Sequence, residues 1–363
     1  MNIKRITPLV SACLLALCSC GAQKDVYVLE NNSAMKVSVT PFGGRIMSIL
    51  VPDRDGVVRD VVLGFDDMES YFPENHLTDF GAAIGRYANR IGGGHLEIDG
   101  KTWDLPKNNF GHCLHGGPAG WQYKMYKVVE ADRSHIKLRM DSPDGDNNFP
   151  GAVTAFVTYT LDDKGVLDIR YEAVTDAPTV INMTNHSYFN LNGDPDVAVD
   201  NCLLCINASG YTPVDSTYMT TGEILPVEGT PMDFRTPVEI GRDVNNFGFA
   251  QIRNGNGFDH NWCLDTYRDG RGDDTVAAAT LWSPLTGIEL TVYTDEPGIQ
   301  VYTGNFLDGT VTGKEGKVYR KHAAVCLETQ HYPDTPNKPQ WPSAVLRPGE
   351  TYTSHCAFAF SVR

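Results

Sequence analysis

An all-β fold, built as a sandwich of many short antiparallel strands, is the class that the sequence predicts. Past residue 25, apolar residues recur at every second position more often than at helical spacing, which indicates strands with one buried face. Turn signals separate these stretches, and no capped amphipathic stretch of helical length interrupts them. Many short strands joined by frequent turns favour a sandwich over a barrel, with few and short helices.

The segment 165–174 shows this alternation clearly. Leu167, Ile169 and Tyr171 fall on one face, whereas Asp168 and Arg170 fall on the other. Four further segments show strand character, at 136–140, 155–161, 290–293 and 357–362. Each is predicted to be a strand.

Turn residues mark where the strands end. Asp99-Gly100 directly follows the apolar-polar stretch 96–98 and is a two-residue hairpin signal. Other turns are marked by Gly43-Gly44, Asn192-Gly193, Pro297-Gly298 and Pro348-Gly349. No Pro/Ser-rich linker and no internal repeat divides the chain, so a single domain is predicted over residues 21–363.

Composition and charge exclude several classes of protein. The hydrophobic set makes up 41% of the 363 residues and charged residues 21%, which excludes a disordered, collagenous or coiled-coil chain. With 30 Lys+Arg against 45 Asp+Glu the net charge is −15. This charge repels phosphate backbones and anionic membrane surfaces, and it argues against a nucleic-acid partner.

Residues 1–20 are predicted to be a bacterial export signal. Lys4 and Arg5 precede an apolar run that is too short to span a bilayer. Cys20 follows the small Ser19, so it resembles the lipid acceptor of a lipoprotein better than Cys18, which follows Leu17. The alternative is an ordinary signal peptide cut near residue 22. We therefore expect an exported, periplasmic protein whose membrane contact is limited to a lipid anchor at Cys20.

The cysteines beyond the signal are expected to be structural. An even number of them in an exported chain leaves disulfide pairing open. Cys202 and Cys205 mimic a metal-binding pair, but residues 201–206 read as a strand, in which positions three apart face opposite sides. Several of the six sit inside apolar runs, where a cysteine is usually a small core residue. These cysteines are Cys113, Cys202, Cys205, Cys263, Cys326 and Cys356.

Polar clusters interrupt the strand pattern and indicate a sugar site. They mix Asn, His, Arg, Asp, Glu and Gln with aromatic residues and glycines, and planar polar groups can bridge vicinal hydroxyls while aromatic rings stack on a sugar ring. The clusters lie at 85–91, 114–121, 182–190, 257–261, 300–306 and 327–330. From the residues alone, the prediction stops at a sugar-binding all-β protein, with a histidine and a carboxylate as candidates for catalysis.

Each cluster also has a structural interpretation. Arg86 and Arg90 suit ion pairs, and a lone His186 on a strand suits the core. The glycines near His115 suit a turn, and Asp259 suits a local turn cap. The number of such clusters in one chain favours the functional interpretation.

Taken together, the clusters resemble the aldose 1-epimerases of the galactose mutarotase type. The resemblance covers nearly the whole chain beyond the signal. Its motifs are GRYANRI at 85–91, LHGG at 114–117, NMTNHSYFNL at 182–191, YTPVDSTYMTTGEILPVEGTPMDF at 211–234, GFDHN at 257–261, QVYTGNFLDG at 300–309 and LETQHYPDTPN at 327–337. The family's fold, a β-supersandwich, agrees with the strand pattern.

The resemblance implies interconversion of the α and β anomers of a free aldose such as D-galactose or D-glucose. It implies His186 as the general acid and Glu328 as the general base, with no metal and no organic cofactor. We further expect a negative charge beside His186 to raise its pKa toward protonation. The positions implied to bind the sugar are Asn89, Arg90, His115, Tyr188, Asp259 and Gln300.

Three alternative functions remain to be distinguished from this one. A non-catalytic sugar-binding module would lack the acid or the base, and a hexose 6-phosphate 1-epimerase would require extra cationic groups. A glycoside hydrolase would use a pair of carboxylates.

Lys338-Pro339 stands where the family often has His and Pro, which bears on specificity. The preferred aldose and the oligomeric state stay open.

Overall fold

The computed structural model describes residues 23–363, so the predicted export signal and the lipid acceptor Cys20 lie outside the described residues. The described part is mostly β-strand, which confirms the predicted fold class. The strand Val153–Leu161 shows why: every second side chain is buried and those between are half-buried. A strand with β-branched and aromatic residues fits such a half-buried surface well.

The largest sheet has nine strands and is antiparallel throughout. The five segments predicted as strands from their pattern lie in it: four are longer than predicted, and 165–174 is shifted by one residue. In spatial order its strands are Lys127–Ala131, His135–Ser142, Val153–Leu161, Val166–Thr175, Tyr352–Val362, Ile288–Thr294, Ala279–Trp282, Leu203–Ile206 and Val238–Glu239.

Two further sheets have six and four strands. The six-stranded sheet runs in the order Tyr188–Phe189, Val325–Gln330, Gly298–Tyr302, Asp259–Leu264, Ala208–Thr212 and Leu225–Pro226. The four-stranded sheet follows the chain as Tyr27–Glu30, Lys36–Thr40, Arg45–Pro52 and Val58–Asp60. The six-stranded sheet carries four of the predicted site residues, Tyr188, Asp259, Gln300 and Glu328.

Short strand pairs and short helices make up the rest of the regular structure. The pairs are Ala82–Ile84 with Thr184–His186, Arg90–Ile91 with Cys113–Leu114, His95–Ile98 with Lys101–Asp104, Thr179–Val180 with Val345–Leu346, and Tyr267–Arg268 with Arg271–Gly272. Within the described part the α-helix is Ala250–Gly255, and the 3₁₀ turns are Glu69–Tyr71, Gly92–Gly94, Trp121–Tyr123, Asp146–Asn148, Val199–Asn201, Ile240–Arg242, Lys314–Gly316 and Thr335–Asn337. No helix in residues 23–363 has the length and apolarity that crossing a membrane requires.

The hairpin signal at Asp99-Gly100 is confirmed. The two residues join His95–Ile98 to Lys101–Asp104, and both have positive φ, 52° at Asp99 and 74° at Gly100. Two consecutive positive φ values belong to the turn whose twist matches that of a hairpin, and Asp-Gly adopts it at little cost.

The largest hydrophobic cluster joins side chains from all three large sheets, among them Val37, Val157 and Val301. It forms the back of the six-stranded sheet. On the strand Gly298–Tyr302, Ile299 and Val301 belong to this cluster, so Gln300 and Tyr302 point to the opposite face. That opposite face is where the site lies.

The six cysteines in the described part are all free. The predicted strand at 201–206 begins two residues later, because Cys202 caps the 3₁₀ turn Val199–Asn201. The thiol of Cys202 lies near Asn192, whereas that of Cys205 lies near the carbonyl of Arg235. The two thiols therefore have different surroundings and do not form a shared metal-binding pair.

Candidate active site

Neighbouring strands of the six-stranded sheet supply Asp259, Gln300 and Glu328. Gln300 lies directly opposite Glu328 in the register, and Asp259 lies opposite Tyr302. Alternation along each strand puts all four side chains on the face away from the hydrophobic core. This face is polar because most of the side chains that alternate onto it carry a carboxyl, amide or hydroxyl group. They are Asp259 and Asn261, Gln300 and Tyr302, and Glu328 and Gln330.

His186 reaches Glu328 from a separate strand pair. The strand Thr184–His186 pairs with Ala82–Ile84, and two residues later Tyr188 pairs with Cys326 at the edge of the six-stranded sheet. This path places Nε2 of His186 3.6 Å from Oε1 of Glu328. The imidazole stacks on the ring of Tyr188, with centroids 5.1 Å apart and an interplanar angle of 17°. The stacking holds the ring in place beside the carboxylate.

A third wall comes from the turns around Arg90–Ile91 and Cys113–Leu114. Asn89 and His115 flank this pair with positive φ values of 62° and 51°. The backbone N–H of Asn89 donates to Nδ1 of His115 at 3.1 Å, so the neutral ring carries its proton on Nε2. The His115 ring meets that of His186 edge to face, with centroids 5.2 Å apart. His115 is thus oriented as a hydrogen-bond donor.

Arg90 is buried and held from two sides. Its guanidinium donates to Oδ1 of Asn109 at 3.2 and 3.0 Å, and it lies 5.0 Å from the centre of the Tyr218 ring. The charges of Asp259 and Glu328 stabilise its protonated form against the cost of burial. A planar donor in this setting suits a hydroxyl-bearing ligand.

Burial dominates the proton affinities of the pair. It raises the pKa of Glu328 well above its ordinary value, the charges of Asp259 and Asp79 add to this, and Arg90 opposes it. Burial lowers the pKa of His186, with Asp79 opposing. The expected net rise in the His186 pKa is therefore wrong, because loss of hydration outweighs the nearby negative charge.

The neighbours of the pair are affected in the same way. Burial lowers the pKa of His115 to about 3, so this ring is neutral near pH 7. Burial also raises the pKa of Asp259, while Arg90 and the hydrogen bond from Gln300 oppose the rise. The site, called the chamber below, is therefore a buried cluster of titratable groups whose pKa values are set mainly by burial.

Several buried polar atoms of this chamber have no hydrogen-bond partner among residues 23–363. They are Nδ1 of His186, Oε2 of Glu328, Oε1 of Gln300 and both amide atoms of the adjacent Asn261. Buried polar groups are costly when they are unpaired, and most native ones are paired. A ligand rich in hydroxyl groups would supply such partners.

All eight predicted site residues are buried, and the structure gathers them around one chamber. Arg86 is different, although it shares their first motif. Its guanidinium donates to the carbonyls of Pro150 and Gly151, both at 2.8 Å, and to Oγ of Ser142 at 2.6 Å. Arg86 therefore has a structural role, but as a donor to backbone carbonyls and a serine rather than in the ion pair that its structural interpretation predicted.

Sequence reasoning missed four residues that line the site. Tyr302 and Cys326 stand two positions from Gln300 and Glu328, and strand alternation would have placed them on the same face. Tyr218 lies under Arg90, and Asp79 lies beside the two histidines. Both of these come from loops, for which no local pattern gives a position.

Two groups of side chains have the spacing of metal donors. One joins Asp79, His115 and His186, and the other joins His186 with Cys326 and Glu328, with ligand atoms within 4.8 Å of one another in each group. The second group is a poor metal site. Burial and the charge of Glu328 raise the pKa of the Cys326 thiol well above its ordinary value, and a protonated thiol is a poor ligand.

Comparison with known proteins agrees with this geometry. The sequence profile of the family described as aldose 1-epimerase matches residues 25–359. Human galactose mutarotase is 41% identical over 342 residues, which cover 94% of this chain and 95% of the relative. Aldose 1-epimerase from Escherichia coli K12 is 36% identical over 347 residues, covering 95% and 97%.

A solved structure gives the same result for the fold. The aldose epimerase homologue from C. elegans superposes with a TM-score of 0.85 at 30% sequence identity, over 93% of this chain and 98% of the homologue. The chain therefore belongs to the aldose 1-epimerase family of isomerases.

Proposed function

We propose that this protein interconverts the α and β anomers of free aldoses, D-galactose and D-glucose among them, with His186 as acid and Glu328 as base. Family membership supports the reaction class. The observation that carries the assignment of roles is the 3.6 Å approach of Nε2 of His186 to Oε1 of Glu328 inside a buried polar chamber. The name of the relatives called galactose mutarotase motivates D-galactose, and D-glucose is included because the family resemblance implies it.

The reaction needs one proton removed and one delivered. Glu328 takes the proton from the C1 hydroxyl while His186 protonates the ring oxygen, so the bond between C1 and the ring oxygen breaks and C1 becomes an aldehyde carbon. Rotation about the C1–C2 bond presents the other face of the carbonyl. Closure then reverses both transfers, and the pair ends with the proton it started with.

The electrostatics of the pair suit such a reversible exchange. Burial raises the pKa of Glu328 and lowers that of His186, which brings the proton affinities of the two groups closer together. Groups of similar proton affinity exchange roles with little thermodynamic cost in either direction. Because the two groups interact, a measured titration gives pKa values of the pair as a whole and not of either residue alone.

The remaining polar side chains are proposed to hold the sugar. Asp259 and Arg90 would bind ring hydroxyls through charge-assisted hydrogen bonds. His115 donates through Nε2 near the reacting carbon, and Gln300 offers its unpartnered carbonyl oxygen. Asn89 orients His115 through its backbone, and Tyr188 supports the His186 ring. Holding the ring in one orientation lowers the entropy cost of the reaction.

Polarimetry tests the function directly. The purified protein should accelerate the change in optical rotation of freshly dissolved α-D-glucose or α-D-galactose well beyond the buffer rate. A panel of aldoses, including xylose and arabinose, would rank the substrates. Absence of acceleration for every aldose, combined with measurable sugar binding, would favour the non-catalytic binding module instead.

A hexose 6-phosphate is disfavoured as substrate by the charges of the site. Asp79, Asp259 and Glu328 all face the chamber that Arg90 enters, and three carboxylates repel a phosphate dianion. Including glucose 6-phosphate in the same panel separates the two substrates. A faster reaction with the phosphorylated sugar would overturn the assignment to free aldoses.

We also propose that the protein is exported and held at a periplasmic membrane face by a lipid on Cys20. The support is the sequence of residues 1–20 and the small residue before Cys20. Residues after Cys20 lack an acidic run. Cys20→Ser should release the protein from the membrane fraction, and Cys18→Ser serves as the matched control. Membrane association that survives Cys20→Ser would refute lipidation at this residue.

A further inference from the structure

Asp79 lies beside the proposed acid although no motif contains it. It precedes the strand Ala82–Ile84, whose pairing partner ends at His186, with Ala82 opposite His186. The carbonyl of Asp79 accepts from the N–H of Ala82 at 3.0 Å. One carboxylate oxygen of Asp79 and one ring nitrogen each of His115 and His186 lie within 4.8 Å of one another.

A buried arginine fixes the segment that carries Asp79. Arg45 is fully buried and donates to the carbonyl of Phe80 at 2.9 Å, to that of Thr78 at 3.0 Å and to that of Gln122 at 2.7 Å. The carbonyls of Thr78 and Phe80 flank Asp79 on both sides in the chain, and that of Gln122 ties the same guanidinium to a second segment. Burying a guanidinium is costly unless it is well bonded, so this arrangement holds the backbone of Asp79 firmly.

The carboxylate of Asp79 is itself only partly satisfied. Its Oδ1 is buried and has no hydrogen-bond partner among the residues that the structure describes. The separation from the histidines exceeds a direct hydrogen bond, because no ion pair within 4.0 Å joins them in residues 23–363. Asp79 therefore acts on His186 through its charge, or through a bridging hydroxyl of water or substrate.

Charges of both signs act on His186 and on Glu328. Asp79 stands at the His186 end, and its charge raises the pKa of that imidazole against burial and Arg45. Arg90 stands at the Glu328 end and lowers the pKa of that carboxyl against burial, Asp259 and Asp79. The other titratable groups that face His186 are His115, Tyr188, Tyr302 and Cys326.

We propose that Asp79 is a positioning residue of the epimerase site, which biases the proton of the buried pair toward His186 and away from Glu328. This role rests on the proposed function. The charge of Asp79 raises the pKa of Glu328 as well, but Asp79 shares a cluster with His186 and not with Glu328, so its effect on the imidazole is the larger one. Without Asp79, the proton would therefore shift toward Glu328, and the fraction of enzyme with an acidic imidazole and a basic carboxylate would fall. A structural role alone would change stability but would leave the ionisation of His186 unaltered.

Three variants separate these possibilities. Asp79→Asn removes the charge and keeps the shape, Asp79→Glu restores the charge, and Glu74→Gln removes an exposed charge from the same segment as a control. We expect Asp79→Asn to lower kcat by tenfold or more at neutral pH. Its pH profile of kcat/KM should move to lower pH, with the larger displacement on the alkaline limb, where His186 loses its proton. Asp79→Glu should recover part of the lost kcat and part of the displacement of the pH profile. Glu74→Gln should match the wild type in both measurements.

Nuclear magnetic resonance of histidine-labelled protein gives an independent readout that needs no turnover. The His186 imidazole of Asp79→Asn should titrate at lower pH than that of the wild type, with unchanged thermal unfolding. An unchanged His186 titration, or superimposable pH profiles for Asp79→Asn and wild type, would overturn the role of Asp79. A wild type without epimerase activity but with the expected His186 displacement would instead refute the proposed function and leave the charge effect standing.

Discussion

The side-chain amide of Gln300 donates a hydrogen bond of 2.7 Å to Oδ1 of Asp259. Gln300 also lies opposite Glu328 in the sheet, so a neutral amide stands between two buried carboxyl groups. The bond aims the carbonyl oxygen of Gln300, which has no partner in the described chain, toward the chamber. The amide of Gln300 donates to Asp259 and not to Glu328, and Oε2 of Glu328 has no partner in the described chain. That oxygen is therefore available for the proposed proton transfer.

Glu328→Gln is expected to abolish turnover without harming the fold. The amide keeps the shape but cannot accept a proton, and a lost general base typically costs ~10²–10⁴-fold in rate. The midpoint of thermal unfolding should be equal or higher, because a buried carboxylate destabilises the folded state. Polarimetry and thermal melts measure the two effects. Glu97→Gln, an exposed strand position, is the control, and near wild-type turnover of Glu328→Gln would show that the base is another group.

His186→Asn should likewise remove the proposed acid. We expect a loss of roughly 10²–10⁴-fold in kcat, with a smaller change in KM, because the imidazole acts on the ring oxygen in the transition state. His95→Asn changes an exposed histidine and should have no effect. Retention of most of the activity in His186→Asn would transfer the role of acid to another residue, His115 being the nearest histidine.

Asp259→Asn is expected to weaken sugar binding. Hydrogen bonds to charged groups contribute ~1.5–3 kcal/mol, so KM should rise by roughly ten- to a hundredfold. The charge of Asp259 also raises the pKa of Glu328, so its removal should move the acidic limb of the pH profile to lower pH. Gln300→Ala, which keeps the charge of Asp259, should raise KM without that displacement. Equal pH profiles for Asp259→Asn and wild type would contradict the effect of the Asp259 charge on the pKa of Glu328.

A histidine outside the site should make stability depend on pH. His355 contacts Asp168 through Nε2 at 2.6 Å and Asp274 through Nδ1 at 2.7 Å. Burial lowers its pKa, but Asp168 and Asp274 outweigh both burial and Arg170, and the net shift is upward. A raised pKa means that its stabilisation is fully present below the unfolded value of about 6.5 and is lost as pH rises through the folded value.

Chemical denaturation between pH 5.5 and 9 measures this contribution. The wild type should lose unfolding free energy above pH ~6.5, and His355→Gln should lose less over the same range. An identical pH dependence in the two proteins would show that other groups control it.

Strand alternation and turn residues were enough to predict most of the sheet. Leu167, Ile169 and Tyr171 are buried as expected, and Asp99-Gly100 forms its hairpin. These features depend on neighbours along the chain. The pairing of Ala82–Ile84 with Thr184–His186 joins segments about a hundred residues apart, and no local pattern encodes it. Asp79 could not be found for that reason.

The site was reached through the family motifs rather than from local chemistry. His186 and Glu328 stand far apart in sequence, and only the fold brings them to 3.6 Å. The direction of the His186 pKa was wrong because it depends on how completely the ring is buried. Burial depends on every packed neighbour, among them Tyr188 and Tyr302, whose positions follow from long-range strand pairing.

The depth of the pair has a consequence for how the reaction would respond to its medium. Dissolved buffer acids and bases catalyse sugar ring opening in water by general acid–base chemistry. Here His186 is 5% and Glu328 2% exposed, so a phosphate or imidazole molecule cannot reach them while a sugar fills the chamber. After subtraction of the uncatalysed rate, turnover at fixed pH and ionic strength should not change with buffer concentration. The protein would thereby uncouple the anomeric equilibration of a sugar from the proton carriers dissolved around it.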